Sequence, residues 1–186
     1  MPEPTQVSPN TGNYRIGKGK VSFKRAGASP DVFTDIGNCT QATITPTIEK
    51  LDHFSSREGV REKDLSVVLE RGGTLSLIME EFTPYNVAMM VMGTIDEDTP
   101  GGPSVEIFSE SEIIGELKIE ATNDIGPRID WHLYRVSISP TGEFTAIEQD
   151  EWGNMELEGE LLVSETVGDT LGKFGVLHWT NLADNT

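Results

Sequence analysis

Almost no cysteine, no long apolar run and few cations: these shortages bound the chain before any motif is sought. Cys39 is the single cysteine among 186 residues, which excludes an internal disulfide framework and agrees with folding in a reducing compartment. No stretch approaches the ~20 apolar residues of a membrane span, and the first residues, MPEPTQVSPNTGNYRIGKGK, lack the apolar segment of an export signal. The expectation is a soluble protein that is not secreted by the usual route and meets no membrane. Lys and Arg number 14 against 31 Asp and Glu, a net charge of -17. The shortage of cations is uneven, because residues 1–71 hold 10 basic and 9 acidic side chains whereas residues 72–186 hold 4 and 22. A field of that sign repels phosphate, which argues against tight nucleic-acid binding by the C-terminal part. Solubility or adaptation to salt is the plain alternative reading of the charge.

Catalytic spacing is equally scarce. His53, His132 and His178 form no HExxH or His-x-His pattern, there is no CxxC, and neither GxxxxGK[ST] nor GxGxxG is present. No zinc site, nucleotide site or cofactor is expected, and no enzyme. Carboxylate pairs are so common here that no one pair points to acid–base chemistry. Asp96-Glu97-Asp98 and Asp150-Glu151 lack the EF-hand order and read as solvated turns, with calcium as the alternative. Trp131, Trp152 and Trp179 offer a sugar platform on paper, yet Trp131 and Trp179 fall in strand patterns that fit a core.

What is present is mostly period-2 alternation. Residues 1–13 read as a flexible N-terminal arm and 181–186 as a polar tail of a single domain spanning 1–186. Between Tyr14 and Arg25, Lys18, Lys20 and Lys24 partly alternate with Val21 and Phe23, as on an edge strand; edge protection and a basic patch for an acidic neighbour are both open. Residues 26–31 make a turn and 31–37 a short extended piece. Asn38 to Ile48 is a strand with Ala42 and Ile44 opposite Thr43, Thr45 and Thr47. Residues 49–64 read as a long charged loop. Leu65–Glu70 and Thr74–Phe82 form a hairpin turning at Arg71-Gly72-Gly73. Then the period becomes 3.6: Thr83 caps a helix, Pro84 opens it and Gly93 closes it in a left-handed conformation, with Val87, Met90 and Val91 as its packing face. Methionines 79, 89, 90 and 92 suggest an adaptable contact there. Residues 94–103 are a break. Strands follow at 105–108, 113–121, 131–139 and 155–164, with a bulge or turn at Gly115, and a last run at 172–180. The fold class is mainly β: a single-domain β-sandwich or part-barrel with one short α-helix packed on it.

The run GNCTQATITPTIEKLDHFSSREGVREKD, followed by DLSVVLERGGTLSLIMEEF and TPYNVAMMVMG, resembles the tail tube (major tail) proteins of long-tailed bacteriophages over residues 33–95. The resemblance implies a structural virion protein of the tail, assembled in the host cytoplasm. It further implies sheets that join between subunits into a ring barrel, hexameric rings that stack into a conduit for DNA ejection, and tape measure and tail terminator proteins as partners. It assigns to Lys50, Asp52, Phe54, Arg57, Val60, Arg61 and Lys63 the role of an inter-ring loop, with Phe54 and Val60 as buried anchors.

Two alternations bear on that reading. Glu116, Lys118 and Glu120 share one face of their run with Leu117 and Ile119 on the other, and Glu156, Glu158 and Glu160 share a face at a spacing of about 7 Å. Stacked like charges demand hydration. Open surface satisfies this, and so does a water-filled acidic lumen past which DNA slides transiently and non-specifically. With Glu106, these residues (Glu106, Glu116, Glu120, Glu156, Glu158, Glu160) are the candidate lumen set. The rival from another class is a soluble acidic β-sandwich binding module for carbohydrate or calcium.

Overall fold

The computed structural model describes residues 9, 11–29, 31–57, 59–147, 149–164 and 173–180. The expected tail at 181–186 and most of the expected N-terminal arm lie outside them. Among the described residues the elements are β1 (Gly19–Arg25), β2 (Thr34–Asp35), β3 (Cys39–Ser55), β4 (Glu62–Met79), α1 (Pro84–Met90), β5 (Thr94–Asp96), β6 (Ser104–Glu106), β7 (Ile113–Ala121), β8 (Arg128–Pro140), β9 (Met155–Leu161) and β10 (Gly175–Thr180), after a 3-10 turn at Thr11–Asn13. One antiparallel sheet runs β2-β1-β7-β8-β9-β4-β3, with β10 also on β8. The long β8 is shared: its first half pairs with β10, Leu133 opposite Gly175, and its second half with β9, Val136 opposite Leu161.

Alternation builds one buried face. Val21 and Phe23 of β1, Leu75, Leu77 and Met79 of β4, Ile113, Leu117 and Ile119 of β7, Leu133, Val136 and Ile138 of β8, and Met155 and Leu157 of β9 form a single cluster, closed by Met89 and Met90 of α1. Thr83 caps α1 by accepting from the Asn86 N–H at 3.2 Å, and Pro84 takes the first turn. The mainly β class with one short helix packed on the sheet is as expected.

Four local expectations are overturned. The helix face is not Val87, Met90 and Val91: Asn86, Met89 and Met90 point into the body while Val87 is half-buried. Asn86 is fully buried and its Nδ2 donates to the carbonyls of Ile36 and Glu81, so a polar pin takes the position that apolar periodicity gave to Val87. The left-handed residue after the helix is Met92, φ 50, and not Gly93; Gly93 is buried against the Glu106 carbonyl, where any Cβ would collide. Residues 94–103 are not a plain break, because β5 returns onto β6 with Ile95 opposite Val105. Trp179 is mostly exposed, although Trp131 packs against the core.

The largest correction concerns Arg71-Gly72-Gly73. These residues do not turn the chain: β4 runs straight through them, Gly73 opposite Pro46 and Gly72 opposite Thr47. Neither glycine has positive φ. The hairpin is β3 with β4, and its turn lies within residues 56–61. Most of the expected loop at 49–64 is therefore strand. Gly73 is needed for close approach, since a Cβ there would press on Leu161 and the Thr45 carbonyl.

Candidate functional site

The β3–β4 hairpin leaves the sheet where β9 ends, at Thr74 opposite Glu160. Beyond that point the two strands have no third neighbour among the described residues. The run Thr47–Ser55 with its return makes an arm roughly 30 Å long. No described residue between Thr45 and Gly72 is buried. Two free sheet edges and two open faces in one ribbon are costly to leave unpartnered.

The arm has two unlike faces. On one, Asp52 accepts from Ser66 at 2.6 Å and pairs with Lys63 at 2.8 Å. These contacts hold its carboxyl below the usual range, the Lys63 bond contributing most. Adjacent register positions face the other way: Leu51 opposes Val67, and His53 opposes Leu65. Leu51, Leu65 and Val67 are 60%, 58% and 48% exposed, an apolar strip with nothing on it. His53 Nδ1 meets Asp64 at 2.6 Å at its end.

Of the residues assigned to an inter-ring loop, Lys50, Asp52 and Phe54 lie in β3, Lys63 in β4, and Arg57, Val60 and Arg61 at the tip. Phe54 and Val60 are not buried in the chain itself; Val60 is 84% exposed and Phe54 lies under the Arg61 guanidinium at 5.4 Å. Leu51, Leu65 and Val67 were missed. Alternation in Leu65, Val67 and Leu69 was their only signal, and it becomes legible once β3 is known to pair there.

The six candidate glutamates are not brought together. Glu156, Glu158 and Glu160 share the solvent face of β9, with Ser76 and Thr74 of β4 and Ser137 and Ser139 of β8 opposite them in register. Glu158 and Glu160, with Glu49, Glu70 and Arg71 at the root of the arm, line an open groove of about 470 Å³. Glu106 belongs to the separate β5–β6 pair, and Glu120 opposes Lys20 in register. Glu116 is neutralised: Lys24 Nζ lies 2.8 Å and His132 Nε2 3.1 Å from its carboxylate. The Phe33 ring covers the cluster, with Lys118 over it at 4.0 Å. Burial pushes the Glu116 carboxyl up, but the bonds from Lys24 and His132 and their charge outweigh this and hold it below the usual glutamate range.

A group whose folded-state pKa is depressed stabilises the fold above its unfolded value and loses that contribution as pH falls through the folded value. Thermal melts between pH 7 and pH 3 should therefore show a stability loss below the ordinary glutamate range that shrinks in Glu116→Gln. Parallel profiles would mean the pair contributes nothing.

Other groupings are modest. The Asp96 carboxylate is used locally, accepting from Asp98 N and Thr99 Oγ1, both at 3.0 Å. Among the described residues no three His, Cys, Asp or Glu side chains gather as metal ligands, and no helix is long and apolar enough to cross a membrane.

The family described as "Protein of unknown function UCP028589" matches residues 14–103 and 98–178. No curated protein matches the sequence. Among solved structures, a chain in the cryo-EM structure of the anti-feeding prophage baseplate, 6-fold symmetrised, is similar at 13% identity and a TM-score of 0.51, over 90% of this chain and 92% of that one. A chain in the tail of an empty GTA particle, from helical refinement with C6 symmetry, gives 15% identity and a TM-score of 0.40, over 90% of this chain and 100% of that one. The likeness to the baseplate chain is one of fold.

Proposed function

We propose that this chain, which belongs to the family described as "Protein of unknown function UCP028589", is a structural subunit of a phage-type tail and works by self-assembly. The observation that carries this reading is the exposed β3–β4 arm, a two-stranded ribbon with an apolar strip that the described part of its own chain leaves uncovered. Such an element gains its stability from a neighbour. The shared fold with a chain of a 6-fold symmetrised baseplate supports the same class.

The finer reading is a tail tube: six copies per ring, rings stacked, free sheet edges joined between copies, and the arm bridging to the next ring. Closing edges between subunits also protects them from random pairing. Glu156, Glu158 and Glu160 are the carboxylates suited to a lumen wall, because they share a hydrated polar face, whereas Glu116 is paired with cations. A wall of that sign offers phosphate no cation to release counterions against, so DNA slides past. Assembly in the host cytoplasm, a place in the virion tail, and contacts with tape measure and terminator proteins belong to this reading, which requires no catalysis and no cofactor.

Negative-stain electron microscopy of the purified full-length protein, with symmetry analysis of end views, tests it. Rings or tubes with six-fold end views are expected. Monodisperse monomers across a wide range of concentration would sink the reading.

A further inference from the structure

The arm leaves one end of the sheet; at the opposite end lies a second unpartnered apolar surface. At that end Met79 of β4 opposes Met155 of β9, so residues 80–83 and 152–154 emerge side by side. The rings of Phe82 and Phe144 lie 6.0 Å apart there. Gly153 packs its backbone on the Phe82 ring, leaving no room for a Cβ. Trp152, next in the chain, is 92% exposed. Carboxylates rim these aromatics: Glu143 to Asn154 holds four acidic residues and no basic one.

We propose that this acidic aromatic patch is the seat for the arm tip of a second copy of the chain. The argument is complementarity between two surfaces of one sequence. From Phe54 to Lys63 the arm carries three basic and two acidic residues, so its net sign opposes that of the patch. Its tip presents Arg57, Val60 and Arg61, and Arg61 already stacks on an aromatic ring, that of Phe54. Arginine over Trp152 or Phe144 with Asp150 or Glu151 beside it is a favourable arrangement. Because tip and seat lie at opposite ends, the contact is heterologous and repeats head to tail without closing on itself, which is the geometry of a stack. This rests on the reading of the arm as an assembly element and adds what the arm binds.

The test mixes two full-length single variants, Val60→Cys and Ile147→Cys, oxidises them mildly, and identifies the disulfide-linked peptides by mass spectrometry. Both positions are more than four-fifths exposed, so both variants should fold. The Cys39 thiol is half-buried and pushed up to about 12, chiefly by burial, which keeps it out of the exchange. The expected result is a 60–147 link in excess over the 60–60 and 147–147 links. Arg57→Glu with Arg61→Glu in the first partner should remove the excess, and Asp150→Lys with Glu151→Lys in the second should restore it. Trp152→Ala should weaken association on the order of 30-fold, the scale of an aromatic anchor. A mixed link no more frequent than random collision gives overturns the proposal. Electron microscopy of the same material separates the two readings. Rings or tubes without the mixed link sink the seat alone, the mixed link without rings leaves the seat and removes the tube, and neither sinks both.

Discussion

Met90→Asp is expected to abolish soluble folding, while Val87→Asp, three residues earlier on the same helix, leaves a folded protein with a lowered melting temperature. Met90 is 4% exposed and belongs with Met89 to the cluster that α1 closes over the sheet. An unpaired carboxylate there costs about 3–5 kcal/mol, a large part of the roughly 5–15 kcal/mol by which a domain of this size is stable. Val87 is half-buried, so a charge at that position can turn toward water and costs about 1–2 kcal/mol. Circular dichroism melts and soluble yield give the comparison. If Val87→Asp proves the more damaging of the two, the helix is rotated from the orientation described.

Replacing residues 49–70 by Asn-Gly is expected to leave the melting temperature nearly unchanged and to eliminate self-assembly. Ile48 and Arg71 are direct partners across the hairpin, so a two-residue turn can join them without altering the ladder below. The removed segment includes no buried described residue. The body therefore keeps its core and loses only exposed surface, including Leu51, Leu65 and Val67. Shortening the connection lowers closure entropy by a few tenths of a kcal/mol at most. Sedimentation at increasing concentration, beside a melting curve, reads both effects. Rings formed by the shortened chain would show that the arm is dispensable, and an unfolded product would show that it supports the body.

Much of the body was legible because burial on one side writes itself into the chain. In β7, Ile113, Leu117 and Ile119 go inward, and in β9 Met155 and Leu157 do. In both, alternation alone named the strand and its buried face. The bulge beside Gly115 and the Thr83-Pro84 start of the helix were also readable, because each depends on a few adjacent residues. The arm was not readable in the same way. Both faces of its outer part are exposed, so no inside–outside pattern marks it, and its ion pairs give it the composition of a loop.

By itself, then, the sequence determined the mainly β class, the single capped helix, the inward rows of β7 and β9, and the excess of carboxylates in the C-terminal part. Those properties follow from local sterics and from the repeat of one residue type against the next. Tertiary structure alone decided where the long hairpin turns, since Gly72-Gly73 is a possible turn until Pro46 and Thr47 lie opposite it. It decided that Glu116 is neutralised by Lys24 and His132 while Glu158 and Glu160 stay unpaired beside Ser137 and Ser139. It also decided that the arm and the Phe82, Phe144 and Trp152 surface lie at opposite ends of one sheet. Each of these is a relation between residues distant in the chain, set by strand pairing and register, and no local pattern encodes which distant partner a strand will find.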